Sequence, residues 1–168
     1  MTTETQVHRI WIKATPEKIW AAIVDPEWNS RYGYSAPGYY DLKPGGSYRS
    51  EPNAGMIEYS KANGIPIGET IVDGEVLEVD PPRLLRQTWR LLMDPGTAAE
   101  PYTTVTFEIT ESKTQPGTCK LTVTHELTGA PQTASLVGGT MDESAGGGWA
   151  WILSDLKSLV ETGKTFNE

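Results

Sequence analysis

The chain has 168 residues, a length that suits one domain with a single hydrophobic core, and we expect residues 1–168 to fold as that unit. Its 14 Lys and Arg against 22 Asp and Glu give a net charge of -8, which disfavours nucleic acid and anionic membrane surfaces as partners. The chain has one cysteine, no secretion signal and no apolar run near the length of about 20 residues that spans a bilayer. These features predict a cytoplasmic protein.

The first predicted element is a strand over residues 6–14, where apolar and polar side chains alternate. Ile10, Ile12 and Ala14 should face inward. Trp11 belongs to the opposite set and should face outward. The sequence therefore predicts a half-buried strand at the start of the chain.

Two short helices should follow this strand. Thr15 supplies a hydroxyl N-cap and Pro16 fits the first helical position. The helix should end at residues 25–26, because the residue before a proline is pushed out of the helical region. A second short helix is predicted over residues 27–31.

The middle of the chain predicts an antiparallel meander of six strands, because turn signals rich in Gly, Pro, Asn and Asp divide it. A long hairpin should turn at Asn63 and Gly64. Residues 129–147 are rich in small residues and should form a loop. The six strands are expected at 34–42, 47–60, 65–79, 84–92, 102–110 and 119–127.

The chain should end in a long amphipathic helix that begins at Trp149. Its apolar residues recur at helical spacing and form one stripe, and Gly163 suits the left-handed conformation that closes a helix. The stripe must be covered, and the strands are the only elements large enough to cover it. The stripe comprises Trp149, Ile152, Leu153, Leu156, Leu159 and Val160.

Several short motifs occur in a fixed order along nearly the whole chain. They are IKATPEKIW (12–20), LKPGG (42–46), GEVLEVDPP (74–82), LRQTW (85–89), THE (124–126) and the last helix (148–163). In this order they resemble the SRPBCC superfamily, also called START-like or helix-grip, and within it the group similar to the activator of heat-shock-protein ATPase. The resemblance implies an α+β helix-grip fold, with a curved antiparallel seven-stranded sheet around one long C-terminal helix and two short helices after the first strand.

The resemblance also implies a function. Members of the superfamily hold lipids, polyketides, hormones and other apolar molecules in a pocket between the sheet and the long helix. We therefore expect binding of a small hydrophobic ligand, with no cofactor and no metal. The group is named after a co-chaperone, but its partner domain has no counterpart here, so we do not expect chaperone activation.

His125 is the main candidate for a functional side chain, since the alternation of the last strand puts it in the inward set. An imidazole there could act as a general base or orient a ligand carbonyl. It could equally be a core histidine that is hydrogen-bonded within the protein. His8 shares the inward parity of the first strand and would lie near His125 if the two strands pair in that register.

The predicted pocket is mostly apolar. By alternation and helix phase, its walls should include Trp89, Phe107, His125, Leu153, Gln87 and Val105, with Met56 and Tyr59 from the long hairpin at its mouth. Each could instead be plain core packing. Two histidines do not make a zinc site, which needs three or four protein ligands.

Two other functions remain open at this stage. One is an enzyme of the cyclase or hydrolase type, using His125 with a carboxylate or with Tyr32, Tyr34 or Tyr59. The other is a protein-interaction module, which needs an exposed apolar patch. Trp11 and Trp151 both lie off the predicted core faces, so we expect a homodimer that buries at least one of them.

Overall fold

Seven strands form one antiparallel sheet in the computed structural model, which describes residues 4–139 and 147–168. The strands are β1 (Thr5–Ile12), β2 (Gly38–Tyr40), β3 (Ser47–Ser50), β4 (Val72–Asp80), β5 (Leu84–Leu91), β6 (Thr103–Glu111) and β7 (Cys119–Glu126). The helices are α1 (Pro16–Val24), α2 (Pro26–Asn29), α3 (Ala54–Asn63), α4 (Pro95–Ala98), α5 (Pro131–Val137) and α6 (Gly148–Thr162). The predicted meander and helix-grip fold are confirmed.

The sheet is a meander that curves around α6. Its order is β1-β7-β6-β5-β4-β3-β2, so β2 to β7 pair with their neighbours in sequence and β1 closes on β7. The β4–β5 register shifts between Val76 and Glu78, and a bulge of this kind bends and twists a strand pair. The concave face of the sheet packs against α6.

The two short helices begin where the sequence predicts. The Thr15 hydroxyl accepts a hydrogen bond from the Lys18 amide at 3.3 Å, and the Asp25 carboxylate accepts one from the Glu27 amide at 3.0 Å. Each cap satisfies an amide that has no partner within its helix. Pro16 occupies the first helical position of α1 as expected, and Pro26 begins α2 one residue before the predicted start at 27.

The prediction of a long hairpin around Asn63 and Gly64 is wrong, because this segment contains a helix. β3 is only four residues long, and α3 follows it before β4 begins. The Asn53 side chain caps α3 by accepting from the Met56 amide at 2.9 Å, and Gly64 ends the helix with φ 64°. An Asn-Gly pair fits either a tight hairpin or a helix C-terminus, and Asn63 and Gly64 serve the second use.

The predicted loop over residues 129–147 is also partly wrong, because it contains α5. Residues 140–146 lie outside the described residues. Gly148 begins α6 in a left-handed conformation with φ 60°, and a Cβ added there would lie 2.2 Å from the Val137 carbonyl oxygen. This close approach requires glycine and sets the end of α5 against the start of α6.

The β1–β7 register differs by two residues from one that sets His8 beside His125. His8 lies opposite Val123, and Gln6 lies opposite His125. A shift of two residues keeps the same side chains on the same face of a sheet. The predicted inward and outward sets therefore hold, with Ile12 buried and Trp11 56% exposed.

Helix α6 packs its predicted stripe against the sheet, and Leu153, Leu156 and Leu159 are buried in the main core. Asp155 is also fully buried, and its carboxylate accepts from the Gly33 amide at 2.9 Å and the Phe166 amide at 2.8 Å. This carboxylate ties two loops to the helix. No helix in the described part of the chain is long and apolar enough to cross a bilayer.

Candidate functional site

His125 is completely buried on β7, and both of its ring nitrogens have partners. The Trp149 indole N–H donates to Nδ1 at 3.1 Å. Nε2 lies 2.8 Å from the Thr103 hydroxyl oxygen, and that hydroxyl donates to the Trp89 carbonyl oxygen at 2.8 Å. The hydrogen-bond pattern therefore places the ring proton on Nε2, which donates to Thr103.

The surroundings of His125 also keep it neutral. Burial lowers its pKa to about 3, with a smaller contribution from His8. Because its Nδ1 lone pair is taken by Trp149, the ring has no free acceptor for a substrate proton near neutral pH. We therefore interpret His125 as a structural residue that joins β7 to α6. Its nitrogens are engaged by Thr103 and Trp149, and not by Tyr32, Tyr34 or Tyr59.

Several predicted lining residues meet around this histidine. The Trp89 ring lies edge-on to His125 at 5.4 Å between centroids, and the Phe107 ring lies edge-on to Trp149 at 5.9 Å. These are favourable geometries for aromatic pairs. Val105 and Leu153 are buried beside them in the core. This part of the inner wall is occupied by contacts within the protein.

A second group of side chains on the same face is polar at its tips. The Tyr40 hydroxyl on β2 donates to Gln87 Oε1 on β5 at 2.8 Å, and the Tyr40 and Tyr48 rings pack at 4.5 Å. The Tyr48 hydroxyl faces the Trp89 indole and the Tyr40 hydroxyl. Neighbouring strands lie about 4.8 Å apart, so side chains from β2 and β5 meet only because the sheet is curved.

Burial keeps these phenols protonated. It raises the pKa of Tyr48 to about 12 and places that of Tyr40 well above its ordinary value. A negative charge is therefore disfavoured at this end of the inner face.

The inner face has one part around Tyr40 (the Tyr40 end) and one around His125 (the His125 end), and the two differ in how exposed their side chains are. Tyr40, Trp89 and Ile152 pack against the core but are only partly buried, whereas Phe107 and Leu153 are buried. Gln87 lies beneath Tyr40 and is 1% exposed. Part of the surface of Tyr40, Trp89 and Ile152 is therefore in contact with solvent.

The structure places the two predicted mouth residues on α3, away from a hairpin. Tyr59 is 63% exposed, and Met56 is half-buried in the first turn of the helix. Two open surface clefts lie elsewhere, one between α5 and the start of β1 and one between α1 and β6. None of the residues that line them belongs to the predicted ligand-binding set.

Sequence reasoning missed Tyr40, Tyr48 and Asp155. Tyr40 and Tyr48 lie directly opposite each other across the turn at residues 43–46, so the strong turn signal could have paired them. Asp155 flanks the apolar stripe of α6 beside Leu159, and an acid in such a position could have been recognised as a buried anchor. In the described residues, no group of three or more His, Cys, Asp or Glu side chains could hold a metal ion.

The architecture is that of a helix-grip protein, with a curved seven-stranded antiparallel sheet around a long C-terminal helix. The family model described as "Activator of Hsp90 ATPase homolog 1-like protein" matches residues 13–161. The chain belongs to this family. No curated protein sequence is significantly similar to it.

Solved structures share the fold at low sequence identity. CalU16 from Micromonospora echinospora is 19% identical, with a TM-score of 0.66 over 98% of this chain and 79% of its own. MLL2253 from Mesorhizobium loti is 23% identical, with a TM-score of 0.64 over 94% of this chain and 96% of its own. PFC0360w, an HSP90 activator from Plasmodium falciparum, is 19% identical, with a TM-score of 0.54 over 97% of this chain and 91% of its own. At these identities the likeness concerns the fold alone.

Proposed function

We propose that this protein binds a small, largely apolar molecule between the concave face of the sheet and α6, in the cytoplasm. The observation that carries the proposal is the partial exposure of Tyr40, Trp89 and Ile152, which pack against the buried core. Concave, mostly apolar surfaces with a few polar groups are typical of small-molecule sites. The ligand would extend the packing of the core at this end.

The proposed ligand enters near Tyr40, and not at the mouth formed by Met56 and Tyr59 that the sequence suggested. Phe107, His125 and Leu153 form the inner end of the site and already contact other core residues. Trp89 contacts His125 on one side and is partly exposed on the other, so it joins the two ends. Ligand entry at the Tyr40 end leaves the His125 hydrogen bonds intact.

A thermal-shift series tests this proposal. A panel of small apolar compounds is added at increasing concentration, and we expect some of them to raise the melting temperature, because a ligand that binds only the folded state stabilises it. Ile152→Lys should abolish the rise by placing a charge at the entrance. Ser154→Lys, on the exposed side of the same helix, is the matched control and should keep it. A panel without any concentration-dependent rise contradicts the proposal.

The enzyme alternative needs two polar groups that converge on one point and keep free hydrogen-bonding capacity. The His125 ring lacks that capacity, since Thr103 and Trp149 occupy its nitrogens. The Tyr32 hydroxyl donates to the Ala22 carbonyl at 2.8 Å and is likewise occupied. The Tyr40, Gln87 and Tyr48 side chains keep hydrogen-bonding capacity but stay neutral, since burial raises the pKa of both phenols, so the geometry favours binding over catalysis.

A second candidate function is association with another copy of the chain, and the free edge of β1 favours it. The Glu4 carbonyl accepts from the Leu127 amide. The backbone N–H and C=O groups of even-numbered β1 residues therefore point towards β7, and those of odd-numbered residues point away from the sheet. At one end α6 covers this edge. Lys157 Nζ donates to the Trp11 carbonyl at 2.7 Å, and Glu161 accepts from the Lys13 amide at 3.0 Å.

The other half of the edge has no such cover in the described part of the chain. The outward backbone groups of Thr5, Val7 and Arg9 are available to another strand. We propose that β1 of a second copy pairs here in antiparallel orientation, with Val7 opposite its own counterpart. That register sets Arg9 opposite Thr5 and so avoids like charges. It would also bring Trp11, whose side chain is largely exposed, to the interface.

A further inference from the structure

We infer that the bound molecule carries one uncharged hydrogen-bonding group, a hydroxyl or a carbonyl, which Tyr40, Gln87 and Tyr48 hold at the open end of the site. The inference rests on the proposed function and deepens it by naming the ligand class. Sequence reasoning had assigned the polar contact to His125. The structure offers a different set of polar atoms.

First, the hydrogen-bonding atoms of His125, Thr103 and Trp149 (the His125 group) are already used within the protein. The Trp149 N–H and both His125 nitrogens are used, and the Thr103 hydroxyl donates to the Trp89 carbonyl. A ligand could bond to this group only by breaking one of these hydrogen bonds. Such an exchange gains little, because one buried hydrogen bond is lost for each one formed.

Second, the side chains of Tyr40, Gln87 and Tyr48 (the Tyr40 group) keep unused hydrogen-bonding capacity. Gln87 Oε1 accepts from Tyr40, but Gln87 Nε2 has two hydrogens and, among the described residues, only the Thr88 carbonyl at 3.5 Å as a partner. That distance lies beyond the usual 2.7–3.2 Å range of an N–H···O bond. The Tyr48 hydroxyl is already bonded to the Trp89 indole and to Tyr40, which leaves each of the two phenolic oxygens one further lone pair as an acceptor. The group can thus donate to a carbonyl and accept from a hydroxyl.

The third step is that the site disfavours ions. The arginines of β3 and β5 each pair with a carboxylate: Arg49 with Glu51, Arg86 with Glu126 and Arg90 with Asp73. Arg49 and Arg90 also lie over the rings of Tyr39 and Tyr102. By strand alternation they point to the opposite face of the sheet from Tyr48 and Gln87. None of these arginines is therefore placed to receive an anionic ligand at Tyr40 and Gln87.

Burial and, to a smaller extent, the Asp155 carboxylate of α6 raise the pKa of Tyr32, a neighbour of Tyr40. Asp155 is fully buried and accepts from the backbone amides of Gly33 and Phe166. Its negative charge disfavours an anionic ligand, and its burial prevents direct pairing with a cationic one. Burial likewise raises the pKa values of Tyr40 and Tyr48, so these phenols stay neutral hydrogen-bonding groups.

Three probes of one shape test the inference: naphthalene, 1-naphthol and 1-naphthoate, each titrated by calorimetry at neutral pH. We expect 1-naphthol to bind roughly tenfold more tightly than naphthalene, the effect of one added hydrogen bond, and 1-naphthoate to bind most weakly. Because 1-naphthol is the less apolar of the first two, greater hydrophobicity cannot produce this order.

Variants assign the effect to residues. Tyr40→Phe and Tyr48→Phe keep the ring and remove the hydroxyl, and at least one of them should reduce the advantage of 1-naphthol over naphthalene to less than threefold. Tyr39→Phe, next to Tyr40 but on the outer face, is the control and should leave it unchanged.

Binding of 1-naphthoate as tight as that of 1-naphthol overturns the inference but leaves the proposed function standing. So does the lack of any preference for 1-naphthol over naphthalene, or full retention of that preference in both Tyr→Phe variants. Failure of all three probes to bind rejects the inference and also weighs against the proposed function.

Discussion

The indole N–H of Trp149 on α6 donates to Nδ1 of His125 on β7 at 3.1 Å. This hydrogen bond joins the long helix to β7 inside the core. We predict that His125→Ala lowers the free energy of unfolding by about 2–5 kcal/mol, because it leaves a cavity and two unsatisfied polar groups. Urea denaturation measures the change. His8→Ala, at a half-buried site on β1, is the control and should cost less than about 1 kcal/mol. Equal losses in the two variants would show that the core hydrogen bond is unimportant.

The same histidine should make stability depend on pH. Its pKa is lowered from 6.5 to about 3 in the folded state, so below pH 6.5 the unfolded chain binds a proton that the folded chain does not. Stability should therefore rise with pH over this range, by about 1 kcal/mol per pH unit near pH 5 to 6. Carboxylates titrate mainly below this window. His8, whose pKa burial also lowers, contributes in the same direction.

Variants separate the two histidines in this pH dependence. His125→Gln should remove most of the slope between pH 5 and 6, and His8→Gln should remove less. Denaturant unfolding at several pH values within the window provides the measurement. A slope that survives His125→Gln would mean that another group titrates there.

The packing of α6 against the sheet should depend on the apolar stripe. Leu156→Ala should cost about 2–5 kcal/mol, because Leu156 is buried at the middle of the helix. Ser158→Ala should cost about 1 kcal/mol, since the hydroxyl donates to the Lys164 carbonyl at 2.8 Å. Chemical denaturation of both variants checks the helix phase, which would be refuted by a larger loss at Ser158.

The sequence was sufficient to predict the fold because its signals agree at several levels. Strand alternation, the cap at Thr15 and the stripe of α6 all specify the same elements. The segment around Asn63 and Gly64 was misread because one dipeptide serves two structures. What decided between them was the Asn53 cap, which lies ten residues earlier and is visible only with the helix in place.

The candidate site was harder to predict than the fold. Alternation correctly placed His125, Phe107 and Val105 on the inner face, but the face on which a residue lies does not reveal whether its hydrogen bonds are already made. Thr103 and Trp149 satisfy His125 from two different elements. The Tyr40–Gln87 bond depends on the curvature of the sheet across four strands, which is set by long-range packing and not by local sequence.

The proposed pairing of β1 strands predicts a dimer that depends on concentration. Val7→Pro should abolish it by removing an outward backbone N–H, and Trp11→Ser should weaken it. Sedimentation at micromolar protein provides the measurement. Leu136→Ser, at an exposed site on α5, is the control and should leave the dimer intact. A parent chain that sediments only as a monomer contradicts the pairing.

The most direct test of the central claim is a ligand titration followed by the indole N–H signals of the six tryptophans in NMR spectra. With 1-naphthol as the ligand, we predict that the Trp89 signal moves most, because its ring lies between the open end of the site and His125. The Trp11 signal, on the outer face, should stay in place. Unchanged indole signals at saturating 1-naphthol, or a shift that is largest for Trp11, would contradict binding between the sheet and α6.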